Sequence, residues 1–292
     1  METIRNLINQ TMPGIRAERE IRLSQSIEAV YKKYPALEDI DHQIIDMRKQ
    51  RFVAAIGGDE KIEDRMAEIE AGLIKKRDLF IKDNDIDPDF DKEKFICDKC
   101  EDKGFVKTKS GLDQVCCCRD NELKECFSKS GMSGYETYDM KSLKDDYFGD
   151  EAKRKSKKLN LVKIISNTGD FAKKNLWIYY GNAQSGKTYM SVCITKASIK
   201  LGHSAYYMKC EEIADMSESD MDFLKRCDLL VIDDFTDDVT LSKGVGYALN
   251  SVLEARGASE LKTILVTSIS PTELSMGSDM RIAGKLKNAG VV

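Results

Sequence analysis

Gly181-Asn182-Ala183-Gln184-Ser185-Gly186-Lys187-Thr188 fits the spacing Gly-x-x-x-x-Gly-Lys-Ser/Thr. The apolar run Leu176–Tyr180 precedes it and a helical pattern over Thr188–Lys200 follows, so the segment reads as strand, loop, helix. Backbone N–H groups of such a loop, and the positive end of the helix after it, attract phosphate oxygens. Lys187 supplies a cation for the β- and γ-phosphates of ATP, and the Thr188 hydroxyl a ligand for Mg²⁺. Gly181, Asn182, Ala183, Gln184, Ser185 and Gly186 complete the set of candidate nucleotide contacts.

Working outward, Leu176–Tyr180, Ser204–Met208, Leu229–Asp233 and Thr263–Thr267 read as short buried strands, with helical patterns around Thr188–Lys200 and Ser242–Ala255. Strands alternating with helices predict a parallel α/β sheet. Asp228-Leu229-Leu230-Val231-Ile232-Asp233-Asp234 is an apolar strand ending in two carboxylates. At the carboxyl tip of a parallel strand they face the nucleotide crevice. Asp233 is assigned to the Mg²⁺ shell, and Asp234 to the role of general base on the attacking water. The strand before Ser268 ends in Thr267, whose hydroxyl is placed to bond that water or the γ-phosphate.

The 292 residues are 33% charged and 41% hydrophobic, a globular balance, with a net charge of −4 that gives no global basic field for nucleic acid. No stretch approaches the roughly 20 apolar residues that span a bilayer, and Met1–Gly14 lacks a signal-peptide core, so a cytoplasmic location without membrane contact is expected. His42 and His203 are the two histidines, which leaves little for a His-based nucleophile. Six of nine cysteines crowd into Cys97–Cys126. Cys97-Asp98-Lys99-Cys100 is a Cys-x-x-Cys knuckle, and Cys116-Cys117-Cys118 follows after fifteen residues. In a reducing compartment this clustering points to zinc held by Cys97, Cys100, Cys116 and Cys118, with Cys117 as competing fourth ligand and Cys126 as an outside candidate. Gly104 permits the tight turn after the knuckle. A redox dithiol is the alternative. Cys193, Cys210 and Cys227 read as buried bystanders.

Ahead of the knuckle, apolar residues at helical spacing predict three helices: Ile21 to Tyr31, Ile40 to Met47, and Ile62 to about Leu79. Pro35 and Gly57-Gly58 punctuate the gaps. Residues 1–83 thus form a helical region, 84–134 a cysteine-rich module, 135–174 a linker and lead-in, and 175–292 the ATPase core. The lysine-rich stretch Lys153–Lys158 reads as a solvated helix face or linker, with a nucleic-acid contact as the alternative.

A helical region, then Cys-x-x-Cys with Asp102 and Gly104-Phe105, then Cys-x-Cys, then a phosphate loop: this order resembles the bacterial and phage replicative-helicase loaders of the DnaC/DnaI type, a branch of the AAA+ ATPases. Asn175-Leu176-Trp177-Ile178-Tyr179-Tyr180-Gly181 resembles that family's lead-in to the loop, and Leu229–Phe235 its second phosphate motif. Thr267-Ser268 resembles its sensor Thr-Ser-Asn. Asp279-Met280-Arg281-Ile282-Ala283-Gly284-Lys285-Leu286 resembles the segment carrying its trans-acting arginine, which makes Arg281 a candidate nucleotide contact and Lys285 a candidate catalytic cation. The resemblance implies that the N-terminal region binds the hexameric replicative helicase, that the protein helps place it on single-stranded DNA, and that ATP binding drives self-association. An IstB-type transposition helper and an ATP-binding adaptor are the alternatives.

The chain departs from the family at three positions. Gln184 stands where glycine is usual, at a cost of about 1 kcal/mol if φ is positive. Ile269 replaces the sensor asparagine. Lys285 replaces the arginine finger, which in related NTPases supplies roughly 10³–10⁵-fold in rate. These losses predict slow hydrolysis without partners. The last residues, Gly290-Val291-Val292, leave the family's fifth strand missing or cut short.

Overall fold

A computed structural model describes residues 2–58, 60–140, 142, 151–165, 172–242 and 244–292. The chain divides into two compact units, Thr11–Asp102 and a larger one made of Met1–Gln10 with Lys103–Val292. Of the expected linker 135–174, residues 141, 143–150 and 166–171 lie outside the described ones.

Three helices, α1 (Ile4–Lys33), α2 (Pro35–Gly57) and α3 (Glu60–Asp83), account for most of the first hundred residues. Pro35 opens α2, where its fixed φ suits a first helical turn. Gly58, at φ +73°, closes it by donating to Ala54 and Ala55 carbonyls. In the smaller unit Leu37, Ile81 and Phe90 form the buried centre, with Ile27, Val30 and Tyr31 packed around it. Charges there are paired: Asp41 accepts from the Tyr31 hydroxyl at 2.8 Å and from Arg77, and Glu70 accepts from Arg48 and Arg51. The first helix starts at Ile4, well before the apolar pattern read from the sequence. Its opening residues Ile4, Leu7 and Ile8, spaced to share one helix face, are buried in the core of the larger unit.

That unit resumes at Lys103 with an antiparallel hairpin, β1 (Phe105–Lys107) and β2 (Asp113–Val115), followed by α4 (Asp120–Phe127) and α5 (Glu151–Ile165). The lysine-rich stretch lies on α5; Lys155 and Lys158 are exposed, while Lys157 is half-buried and donates to the Tyr180 carbonyl at 3.3 Å. The side chains of Lys153 and Arg154 lie outside the described residues. Then come β3 (Leu176–Tyr180), α6 (Lys187–Lys200), β4 (Ala205–Lys209), α7 (Glu218–Arg226), β5 (Leu229–Asp233), α8 (Asp237–Leu241), α9 (Val245–Ala258), β6 (Lys262–Thr267), α10 (Pro271–Gly277), α11 (Met280–Leu286) and β7 (Gly290–Val291). The five strands β3 to β7 form one parallel sheet in the order β4-β5-β6-β3-β7.

Alternate side chains of each strand serve opposite layers. Trp177 and Tyr179 of β3 join Leu161, Ile164 and the apolar side of α6 on one face; Ile178 joins Leu224, Leu249, Val252 and Ile282 on the other. The sheet is therefore covered on both sides, which is why its strands read as unbroken apolar runs. The edge strand left in doubt by the sequence is present as β7, a two-residue strand in which Gly290 and Val291 pair with Trp177 and Ile178. Glycine is required there, because a Cβ at position 290 would lie 2.2 Å from the Trp177 ring. Among the described residues no helix is long and apolar enough to cross a membrane.

Candidate functional site

Because β4 to β6 lie on one side of β3 and β7 on the other, the order of strand placement reverses beside β3, where a crevice opens at the strands' carboxyl ends. The Gly181–Thr188 loop leaves β3 at this crevice. The Gly181 N–H donates to the Thr267 carbonyl at 3.3 Å, so the loop is fastened to the tip of β6. A cavity of about 410 Å³ is lined by residues 183–188, Asp233, Asp234, Thr267 and Ser268, together with Tyr138, Tyr189 and Thr236. Three sequence motifs, spread between Ala183 and Ser268, thus share one concave site.

Lys187 donates from Nζ to the Gly181 and Asn182 carbonyls at 2.9 and 2.7 Å. Burial lowers its pKa, and the negative charge of Asp233 and Asp234 opposes that shift. Gln184 adopts φ +61°, a left-handed conformation that costs a non-glycine residue roughly 1–2 kcal/mol. Asp233 is 2% exposed. Its Oδ2 accepts from the Tyr207 hydroxyl at 2.8 Å and its Oδ1 from the Asp234 N–H at 2.9 Å. Asp234 has φ +52°, and its side chain is 65% exposed, 3.4 Å from Lys209 Nζ. The carboxylate raises the Lys209 pKa in return. Thr267 is buried, and its hydroxyl accepts from the Ile269 N–H at 3.1 Å.

Gly181 and Asn182, at the start of the loop, do not line this cavity, and neither do two candidates on another element. Arg281 and Lys285 lie on α11, and neither lines it. Arg281 donates from Nε and Nη2 to its near neighbour Asp279 at 3.0 and 2.9 Å, and hydrogen bonds from Arg281 bring the Asp279 pKa down to about 2. Lys285 donates to Asn250 Oδ1 at 2.7 Å.

A tyrosine cluster beside the loop escaped the sequence reading. Tyr138 stacks on Tyr189 with ring centroids 4.3 Å apart and planes at 18°. The Tyr189 hydroxyl accepts from the Asp139 N–H and donates to the Asp139 carbonyl. Lys196 of α6 donates to the carbonyls of Tyr135, Glu136 and Tyr138 at 2.6, 3.3 and 3.0 Å. Tyr135 and Tyr138 stand more than forty positions ahead of the loop, so no local pattern ties them to it.

The sulfurs of Cys97, Cys100, Cys116 and Cys118 all lie within 4.8 Å of one another. A tetrahedral zinc with bonds of about 2.3 Å needs sulfur separations near 3.8 Å, so the four thiols fit the ion with small adjustment. The Asp102 carboxylate accepts from the N–H groups of Ile96 and Cys97 at 3.1 and 2.8 Å and so fastens the first knuckle. Gly104, at φ +78°, accepts from the Cys116 N–H at 2.9 Å. Cys117 is exposed and outside the foursome. Cys126 is buried away from it, its thiol pushed up to about 11 by desolvation. Cys193, Cys210 and Cys227 are buried.

No protein-family model matches the chain, and no curated protein does. Among solved structures, AMPPCP-bound DnaA from Aquifex aeolicus is 17% identical at a TM-score of 0.45, over 54% of this chain and 50% of that one. DnaI is 16% identical at a TM-score of 0.40, over 52% of this chain and 85% of its own. Domain III of DnaA from Thermotoga maritima is 17% identical at 0.42, over 51% and 67%. The chain spans about half the length of the Aquifex DnaA chain. The fold class is a parallel α/β core with a Gly-x-x-x-x-Gly-Lys-Thr loop after its central strand, and with a helical region and a cysteine foursome ahead of it.

Proposed function

We propose that this protein binds MgATP at the Gly181–Thr188 loop and uses it to help place a hexameric replicative DNA helicase on single-stranded DNA. The observation that carries the nucleotide half is the shared cavity of the loop, Asp233, Asp234 and Thr267. Lys187 leaves the Gly181 and Asn182 carbonyls to neutralise the β- and γ-phosphates, and Thr188 with Asp233 holds Mg²⁺. The ion supplies charge compensation between the phosphates. Asp234, exposed at the mouth of the site, takes the proton of the attacking water. Cys97, Cys100, Cys116 and Cys118 hold a structural zinc. The loader half rests on the order of helical region, knuckle and phosphate loop. It carries with it a cytoplasmic setting, self-association on ATP binding, and a trans role for Arg281 and Lys285.

Binding of a fluorescent ATP analogue should be lost in Lys187→Ala. A replicative helicase should co-purify with the full chain in ATP. Nucleotide binding that survives Lys187→Ala sinks the site, and a helicase that never co-purifies sinks the loader and favours the transposition helper. A second reading, a slow or non-hydrolysing ATP-binding adaptor, is favoured by Lys285 being engaged with Asn250 and by the strained Gln184. ATP turnover unchanged by Asp234→Asn would select it.

A further inference from the structure

The Asp233 carboxylate lines the cavity yet is almost wholly buried, and its environment is set by a residue no motif includes. Tyr207 of β4 sits opposite Val231 in the ladder with β5, so its side chain and that of Asp233 lie on the same face, diagonal to each other. Its hydroxyl reaches Asp233 Oδ2 at 2.8 Å, and the Asp234 N–H takes Oδ1 at 2.9 Å. One donor on each oxygen fixes the plane of the carboxylate.

Tyr207 is itself held from two sides. The Tyr135 ring meets it edge-on at 5.5 Å and 76°, and Tyr135 is anchored through its carbonyl to Lys196. Behind it Gly131 packs so closely that a Cβ there would lie 1.9 Å from the Tyr207 carbonyl oxygen.

The geometry points to Tyr207 as a positioning residue that aims the Asp233 carboxylate at the Mg²⁺ of the bound nucleotide. This rests on the nucleotide reading above. A carboxylate with a lost orienting donor binds metal typically 10–100-fold less well. The effect belongs to the metal-dependent part of binding alone, because the Tyr207 hydroxyl bonds Asp233 and Tyr207 is not among the described residues that line the cavity with the loop.

The test uses the full chain and a methylanthraniloyl-ATP probe, titrated with MgCl₂ and, separately, in EDTA. Tyr207→Phe keeps the ring and removes the hydroxyl. It should raise the Mg²⁺ concentration for half-maximal tight binding about ten-fold or more and leave the EDTA affinity unchanged. In an Asp233→Asn background the same change should have no further effect. An unmoved Mg²⁺ midpoint, an equal loss with and without metal, or full additivity with Asp233→Asn each overturns the role of Tyr207. Should Tyr207→Phe not fold, difluorotyrosine at position 207 keeps ring and hydroxyl while altering donor strength; an unmoved midpoint then overturns it equally. A wild-type chain that binds no nucleotide takes down both readings, whereas Mg²⁺-dependent wild-type binding with an unaffected variant removes this one alone.

Discussion

Arg256 of α9 is 1% exposed, yet it carries a full charge into the layer below the sheet. Its Nη1 donates to the carbonyls of Leu224 and Cys227 at 2.6 and 2.7 Å, its Nη2 to the Lys262 carbonyl at 2.5 Å, and its Nε to the Thr263 hydroxyl at 2.8 Å. One guanidinium thereby ties the end of α7 and the start of β6 to α9. Replacing it by Met strips donors from three buried carbonyls, each worth about 1–3 kcal/mol when left dry. Relief of the buried charge and new apolar packing offset part of that, for a net loss of about 3–5 kcal/mol. With a urea slope of about 2–3 kcal/mol per molar, the unfolding midpoint should fall by about 1–2.5 M. Trp177 is the chain's single tryptophan, buried in β3, so its emission follows this unit without interference from the smaller one. Arg256→Lys should recover only part of the loss, since a point charge cannot replace the planar fork. A midpoint for Arg256→Met within about 0.3 M of wild type would refute the reasoning.

Zinc content per chain, measured by atomic absorption, should be one for wild type and for Cys117→Ser, and near zero for Cys118→Ser; equal content in the two variants would contradict the foursome. Gln184→Gly should melt close to wild type, because relief of the left-handed strain is offset by about 0.4–1 kcal/mol of unfolded-chain entropy. Gln184→Val should melt lower, since a β-branched residue tolerates positive φ worst; an unchanged melt would mean that the loop does not hold that conformation. Hydrogen bonds from Arg281 depress the Asp279 carboxyl from its ordinary 3.8 to about 2, so the pair stabilises the start of α11 fully above pH 3.8 and loses its effect as pH falls through about 2. A carbon-detected NMR titration placing Asp279 at its ordinary value would remove the pair.

The phosphate loop and the strands around it were legible because their signals are local. Leu176–Tyr180 and Leu229–Asp233 are strands with the bounds read from the sequence, and the other two shift by a residue at one or both ends. Burial on both faces made them apolar throughout. The opening turns of α1 were missed because charged and amide residues and the interior Pro13 mask Ile4, Leu7 and Ile8, whose partners lie more than a hundred residues away in the chain. Helix α7 was also missed; it is short and mostly polar, with Leu224 as its buried residue. The tyrosine cluster was out of reach for another reason. Residues 135–139 have no periodic pattern, and their place is set by Lys196 and Tyr189, tertiary contacts that no window of sequence contains. The involvement of Lys285 with Asn250 is equally invisible without the fold.

Lys196 sits nine residues beyond Lys187 on α6, about 13 Å along the helix axis at 1.5 Å per residue. If the Gly181–Thr188 loop holds phosphate as proposed, a helix of this length acts as a stiff rod hinged there and riveted nine residues on to the Tyr135, Glu136 and Tyr138 carbonyls by one ammonium group. A tilt of a few degrees at the hinge becomes a displacement of up to about an ångström at the rivet. Events at the γ-phosphate would thereby gain a mechanical handle on the Tyr135–Tyr138 segment.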